Sequence, residues 1–132
     1  MDKEDFVQFW VEEACDNCNS MLNMFNMREY TWSLFVGHLT IEKLLKAYYV
    51  KTIDKNIPFV HSLLKLANKS NLQLTEIQKD QLEKITLFNI KTRYESYKRD
   101  FYKKCTKDFT KQNIENILEI KEWLLEEIYK KL

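Results

Sequence analysis

The chain has 132 residues, a length that favours one domain, residues 1–132, built around one hydrophobic core. Gly37 is its one glycine and Pro58 its one proline, too few for the turns of a sheet-rich fold or for a glycine-rich loop that cradles a nucleotide. This scarcity of glycine and proline predicts an all-α protein. The formal net charge of +1 excludes both a uniformly basic nucleic-acid coat and a strongly acidic tail.

The first two predicted elements are long amphipathic helices. Residues 2–26 repeat apolar side chains at three- and four-residue spacing, which is typical of a helix with one buried face. Residues 30–52 carry a wider apolar stripe that can touch two neighbours, so we expect this second helix to be central. Asp54, Asn56 and Pro58 then mark a loop, because proline disfavours helical geometry in the residue before it.

Two shorter helices are predicted after this loop. The apolar residues between Leu63 and Ala67, closed by a polar cluster at 68–71, predict a helix of roughly three turns. Thr75 and Gln78 form a capping-box pattern, in which the hydroxyl accepts from the amide three residues on. A fourth helix is therefore expected to start there and to run to about residue 92.

The last third of the chain holds one segment without clear periodicity. Residues 93–107 are polar, aromatic and poorly periodic, so they predict an irregular or kinked stretch. A final helix is expected from about Thr110, with apolar residues on one face as far as Leu132. The whole pattern predicts an antiparallel helical bundle of about five helices.

Charge is distributed unevenly along the chain. Residues 2–16 hold six acidic side chains and one basic side chain, whereas residues 91–107 hold seven basic and two acidic ones. Tyrosine and phenylalanine alternate with the cations of the basic segment, a combination that binds single-stranded nucleic acid through phosphate neutralisation and base stacking. The alternative is an ordinary solvated helix face whose tyrosines cover the edge of the core.

The cysteines and histidines give weaker indications. Cys15 and Cys18 have CxxC spacing but lack both a preceding strand and two further ligands, so we expect reduced thiols and no metal. His38 stands one helical turn before Glu42, and we expect a histidine at the edge of the core rather than a metal ligand. His61 follows the proline loop and is expected to satisfy loop or helix-end amides, although it is also a candidate ligand contact.

No apolar run is long enough to cross a membrane, and the N-terminus is acidic where a secretory signal would be basic and then apolar. We therefore expect a cytoplasmic protein without a membrane partner.

Four short segments resemble the HEPN domain, a small helical domain of prokaryotes and some eukaryotes. They are residues 41–47 (IEKLLKA), 58–63 (PFVHSL), 92–95 (TRYE) and 102–109 (YKKCTKDF), in this order and at these separations. The resemblance implies a helical bundle that dimerises and is encoded beside a minimal nucleotidyltransferase, with roles in toxin–antitoxin pairs and in RNA cleavage. Ribonuclease members of the family carry an arginine followed, after four to six residues, by a histidine.

Arg93 matches the arginine of that ribonuclease motif, but the histidine is missing. The positions where it would fall hold Lys98, Arg99 and Asp100, and both histidines of the chain lie before Arg93. Without an imidazole at this place, metal-independent cleavage lacks its general base, at a cost of about 10²- to 10⁴-fold in rate. The resemblance therefore implies binding rather than catalysis.

The sequence predicts a homodimeric, noncatalytic RNA- or nucleotide-binding partner of a nucleotidyltransferase in a two-component system, without a cofactor. One alternative is a divergent metal-independent ribonuclease toxin that uses Arg93 with Lys98 or His61, and another is a module that binds only proteins. Arg93 itself is expected either to bind phosphate or to form a salt bridge, for example with Glu95 or Asp100. The candidate binding residues are Arg93, Tyr94, Tyr97, Lys98, Arg99, His61 and Lys46.

Overall fold

The computed structural model describes residues 1–131, which form six α-helices and no strand. The all-α prediction is confirmed, and the number of helices exceeds the predicted five because the region 93–107 contains a helix of its own. Leu132, which was expected on the apolar face of the last helix, lies outside the described residues. The helices are α1 (Lys3–Asn26), α2 (Tyr30–Thr52), α3 (Leu63–Lys69), α4 (Glu76–Arg93), α5 (Glu95–Lys104) and α6 (Lys107–Tyr129).

Side-chain caps fix where the helices begin. The predicted capping box of α4 is present, with Thr75 Oγ1 accepting from the Gln78 amide at 3.1 Å and Gln78 Oε1 accepting from the Thr75 amide at 2.9 Å. The predicted start of the last helix at Thr110 was wrong. Thr106 caps that helix instead, because its hydroxyl accepts from the amide of Phe109 at 3.2 Å.

Two helices are followed by a left-handed residue at which a glycine is the commonest choice. Arg28 after α1 and Asn71 after α3 adopt left-handed backbone conformations, with φ of 64° and 60°. The Leu72 amide then donates back to the Ala67 carbonyl at 3.2 Å, which closes α3 after seven residues. The third helix therefore has about two turns rather than three.

Helix α2 is central, as predicted, and packs against every other helix. Gly37 lets α2 approach α1 and α6 closely, because a Cβ atom at this position would lie 2.6 Å from Ile117 Cδ1 and 2.9 Å from Met21 Sδ. At the far end of α2, Lys51 Nζ donates to the carbonyl of Glu127 at 2.7 Å. From Gly37 to Lys51 along α2, the contacted residues of α6 advance from Ile117 to Glu127. The two helices therefore run parallel, and this pair departs from the antiparallel prediction.

The six helices contribute to one hydrophobic cluster. Within residues 1–131, none of the helices combines the length and the apolarity that a bilayer crossing requires. That residues 1–132 constitute a single domain stays a prediction.

Candidate functional site

The last turn of α4 places Arg93 at a break in the helix. The Tyr94 amide still donates to the Ile90 carbonyl at 3.0 Å, but Tyr94 itself is extended, with φ −85° and ψ 128°. Arg93 is exposed, and its guanidinium carbon lies 5.8 Å from the centroid of the Phe35 ring. In the described part of the chain it forms no ion pair, so the expected salt bridge to Glu95 or Asp100 is not present.

Arg93 lines a cleft between α2, α4 and the loop that follows α2. This cavity, called the His61 cleft below, has a volume of about 390 Å³ and is also lined by Lys46, His61 and Asn89. Aromatic rings from three parts of the chain form its apolar walls. They are Trp10 from α1, Phe35 from α2 and Phe59 from the loop.

Loop residues 57–61 form one wall of the cleft. Phe59 is 90% exposed, and its ring packs edge-on against His61 with the two centroids 5.1 Å apart. The loop is held to the bundle where the Leu63 amide donates to Thr86 Oγ1 on α4 at 3.1 Å. His61 is therefore a cleft residue on a short, anchored loop, and the structure gives its ring no hydrogen bond to a described amide.

Lys46 is the second cation of the His61 cleft. Its ammonium lies 4.9 Å from the centroid of the Trp10 ring and 3.9 Å from Glu42 Oε2. The separation from Glu42 is long for an ion pair, and both side chains are partly exposed, so the pairing is weak. The cleft thus holds two cations against one carboxylate, in contact with aromatic surface.

A smaller pocket of about 340 Å³ adjoins the cleft and shares His61, Asn89 and Arg93 with it. Its remaining wall includes Tyr94 and Tyr97, whose side chains are 55% and 52% exposed. We call it the tyrosine pocket. Exposed aromatic rings beside a cation are the groups that stack on a nucleobase while its phosphate is neutralised.

His38 also lines the His61 cleft. It was expected at the edge of the core, but it is fully buried. Only 1% of its surface is exposed, and neither ring nitrogen has a hydrogen-bond partner among the described residues. Burial lowers its pKa to about 4, and the nearby charges of Arg93 and then Lys46 act in the same direction. The ring is therefore neutral at physiological pH.

The region predicted to be irregular is largely helical. Only Tyr94 interrupts the helical path before α5, which is a regular helix with Phe101 as its buried residue. Lys98 and Arg99 do not join Arg93. They line a separate groove of about 640 Å³ between α5 and the start of α2, which we call the α5 groove.

The structure therefore brings together five of the seven candidate binding residues and separates the other two. Sequence reasoning missed Trp10, Phe35 and Asn89 as cleft residues. Each lies on a different helix, and no local pattern in the sequence says which face of α1 or α4 meets the loop after α2. The five residues that meet at the His61 cleft and the tyrosine pocket are Arg93, His61, Lys46, Tyr94 and Tyr97.

The cysteines show no features of a reactive or metal-binding site. Cys15, Cys18 and Cys105 are free thiols, and burial raises the pKa of Cys105 to about 11. Burial also raises the pKa of Cys18. Among residues 1–131 no cluster of three or more histidine, cysteine or acidic side chains is arranged to hold a metal ion.

A scan against protein-family models matched the HEPN domain over residues 7–132, nearly the whole chain. A search of curated proteins and a search of solved structures gave no match.

Proposed function

The chain belongs to the HEPN domain family, and from this premise we propose that it is a noncatalytic subunit that binds a nucleotide or RNA in the His61 cleft. The observation that carries the proposal is the position of Arg93. It lines both the cleft and the tyrosine pocket, it is exposed, and it forms no ion pair within the described residues. A guanidinium in this state can donate two hydrogen bonds to a phosphate.

The other groups of the cleft match the remaining parts of a nucleotide. Trp10, Phe35 and Phe59 offer apolar rings on which a base can stack. Lys46 adds a second positive charge, while Glu42 and Asn89 offer acceptors for the hydroxyl and amino groups of a nucleoside. A bare phosphate would contact only Arg93 and Lys46, so the aromatic rings and the acceptors of the cleft favour a complete nucleotide as the ligand.

Binding without catalysis is supported by the state of the histidines. The ribonuclease motif has no histidine at 98–100, and those positions belong to α5, where Lys98 and Arg99 line a different groove. The ring of His38 is close to Arg93, but its low pKa makes it a weak base. We therefore favour a subunit that presents or retains its ligand rather than one that cleaves it.

One observation favours a ribonuclease as the second candidate. His61 lines both cavities that Arg93 lines, although the two residues are far apart in the sequence. In this alternative His61 removes a proton from a ribose 2′-hydroxyl and Arg93 holds the phosphate under attack. Cleavage that is lost in both Arg93→Ala and His61→Gln would establish this activity and reject the noncatalytic proposal.

We further propose that the protein acts in the cytoplasm beside a nucleotidyltransferase in a toxin–antitoxin-type system, and that it forms a homodimer. The family resemblance supports the homodimer, but the apolar stripe of α2 offers little free surface for it, since it is mostly buried within the chain. The homodimer therefore stays a prediction, tested by light scattering after gel filtration. A particle of about 16 kDa at micromolar concentration would reject it.

The binding proposal is tested with fluorescent ATP and a labelled single-stranded RNA as probes. We expect Arg93→Ala to weaken the binding of both by about 1–3 kcal/mol and to reduce its salt dependence. Lys84→Ala is the matched control, because Lys84 is an exposed cation on the same helix that lines none of the three cavities described here. Equal affinities for the wild type and Arg93→Ala would reject the His61 cleft as the site.

A further inference from the structure

The α5 groove and the His61 cleft both adjoin the last turn of α4. Thr92 lines the groove and Arg93 lines the cleft, and these two residues are neighbours in the chain. Because successive side chains of an α-helix point about 100° apart, the two cavities adjoin neighbouring faces of the same helical turn. A ligand longer than one nucleotide that occupies the cleft would pass directly into or over the groove.

Thr92 is one of two buried helical threonines whose hydroxyl lacks a partner among the described residues, and the other, Thr110, lines none of the cavities described here. Thr40, Thr52 and Thr86 each donate their hydroxyl to the carbonyl four residues earlier, at 3.2, 2.9 and 2.9 Å. Thr92 is also helical and is only 2% exposed, yet its hydroxyl has no partner among the described residues. Leaving a buried hydroxyl unpaired is unfavourable, and Thr92 lines the groove, so a ligand that displaces the atoms now covering the hydroxyl would supply its missing partner.

The charged and aromatic side chains of the groove are arranged for a polyanion with bases. Lys98, Arg99 and Lys103 project from α5, and none of them forms an ion pair within residues 1–131. Trp32 and Tyr102, which are 40% and 72% exposed, add ring surface to the same walls. These are the components of a binding site for a single strand, in which cations follow the phosphates and rings stack on the bases.

Two carboxylates in the groove argue against an acidic peptide as the occupant. Glu29 and Glu95 line the groove beside the three cations. They would repel phosphates and acidic side chains alike, but a nucleotide also carries ribose hydroxyls and base amino groups that can donate hydrogen bonds to them, which acidic side chains lack. A nucleic acid therefore satisfies both kinds of charge in the groove.

We propose that the α5 groove is a second phosphate-binding subsite, and that a single strand of RNA runs from the His61 cleft across the last turn of α4 into it. This inference rests on the proposed function, since it assumes that the cleft binds a nucleotide unit. It adds that the natural ligand is a strand of several nucleotides rather than a mononucleotide. The Thr92 hydroxyl donates to a phosphate oxygen or a base acceptor of that strand.

The first experiment measures affinity as a function of ligand length. The probes are AMP and labelled single-stranded RNAs of roughly 3, 6 and 12 nucleotides, measured by fluorescence anisotropy at several salt concentrations. We expect the longest RNA to bind at least about tenfold more tightly than AMP, with a steeper salt dependence. Affinity that does not depend on length would overturn the subsite and leave the proposed function in place.

Substitutions in the α5 groove test whether the dependence of affinity on RNA length arises there. The triple substitution Lys98→Ala, Arg99→Ala and Lys103→Ala should remove most of the extra affinity for long RNA and leave AMP binding unchanged. Arg93→Ala should weaken both. If the triple variant binds long RNA as the wild type does, the groove is not the subsite, and if no probe binds the wild type, both proposals fail.

Thr92→Val tests the buried hydroxyl separately, because valine keeps the shape of the side chain and removes the donor. We expect binding of the longest RNA to weaken by about threefold to tenfold, with no fall in the melting temperature. Thr92→Ser, which keeps the hydroxyl, should retain more of the affinity. Unchanged RNA affinity in Thr92→Val, or equally tight binding of a polyglutamate peptide that the triple variant also weakens, would overturn the proposal.

Discussion

Where α1, α2 and α6 pack together, the buried Ser33 and the partly buried Lys51 find partners within the chain, whereas Asn17 Oδ1 and Thr110 Oγ1 are buried without one. Ser33 Oγ donates to the Met21 carbonyl at 2.8 Å, and Lys51 Nζ donates to the carbonyls of Glu127 and Lys130 at 2.7 and 2.6 Å. Around the last turn of α4, two deeply buried polar side chains also lack partners, and both of them line cavities. The imidazole of His38 and the hydroxyl of Thr92 are the examples, with 1% and 2% of their surface exposed.

Asn17 and Thr110 line none of the cavities described here, whereas His38 lines the His61 cleft and Thr92 lines the α5 groove. The position beside a cavity therefore distinguishes the residues that we propose to lie at a ligand site from those that hold the fold. An unpaired buried polar group costs about 1–3 kcal/mol, so a region that keeps such groups sacrifices stability locally. Ser33 and Lys51, which lie where α1, α2 and α6 pack together, avoid this cost because their polar atoms are hydrogen-bonded. Substitutions at Ser33 and Lys51 should therefore alter stability. Substitutions at His38, Thr92 and Arg93 should alter ligand binding or the pH dependence of stability.

The largest effect is expected at Gly37. Valine there places side-chain atoms where Ile117 Cδ1 and Met21 Sδ already lie, and we expect a loss of about 3 kcal/mol in the free energy of unfolding. Urea denaturation at neutral pH measures this loss. Gly37→Ala should cost less in an Ile117→Val background than in the wild type, because that change removes the nearest atom. Wild-type stability of Gly37→Val would show that α2 and α6 are not in close contact.

The role of Gly37 illustrates what the sequence could reveal. Composition and periodicity predicted five of the six described helices, and the predicted extent of the second, about residues 30–52, agrees with α2. A lone glycine in a helix is compatible with several roles, and only the packing of Ile117 and Met21 around it shows a close approach between helices. The parallel course of α2 and α6 was likewise not encoded in any local pattern, since it depends on how three intervening helices return the chain.

The candidate site was also only partly predictable, because a local sequence pattern does not show which helix faces meet. Arg93, His61 and the tyrosines have side chains whose chemistry suggests a ligand, and they were identified from residue type and family resemblance. Trp10 and Asn89 have no such signal, because aromatic and amide residues on helices are usually structural. The stretch 93–107, predicted to be irregular or kinked, is interrupted at Tyr94 and at residues 105–106, but the helix between these breaks was missed. Because α5 buries only Phe101, its apolar periodicity is too weak to reveal a helix.

A second prediction uses the pH dependence of stability. The pKa of His38 is about 4 in the folded protein and about 6.5 in an unfolded chain, so the unfolded state binds more protons between these values. The stabilisation is complete above the unfolded pKa and is lost as the pH falls towards 4. We expect a loss of about 2 kcal/mol between pH 7 and pH 5.

The control is His38→Met, which fills a similar volume and does not titrate. Its free energy of unfolding should lack this part of the pH dependence, while His61→Gln, in which His38 is unchanged, should keep it. Urea denaturation of the three proteins at pH 7 and pH 5 provides the comparison. An identical pH dependence in the wild type and His38→Met would mean that His38 is hydrated or paired in solution.

A third prediction concerns the cation that caps α6. The last turn of α6 has no basic residue, and Lys51 supplies the positive charge from α2 by donating to two of its carbonyls. We expect Lys51→Met to lower the free energy of unfolding by about 1–2 kcal/mol. Lys65→Met, at an exposed position of α3, is the control that should leave stability unchanged. Equal stability of both variants would remove Lys51 from the interactions that hold α6.

The smallest effect on stability is expected at Arg93, where the comparison between the two regions is sharpest. Arg93 is a cation on a helix end like Lys51, but it is exposed and its only described interaction is with the Phe35 ring at 5.8 Å. Such an exposed contact contributes less than about 1 kcal/mol, so Arg93→Ala should unfold close to the wild type.

Arg93→Ala should nevertheless change the environment of His38. The charge of Arg93 helps to lower the pKa of that imidazole, so its removal should raise the pKa and make stability less sensitive to pH between 7 and 5. Urea denaturation and ligand binding measured on the same purified variant test the argument. A protein that unfolds normally, binds nucleotide weakly and has a reduced pH dependence places Arg93 in the cleft beside His38. A loss of several kcal/mol in stability with unchanged affinity would instead assign Arg93 to the structural region.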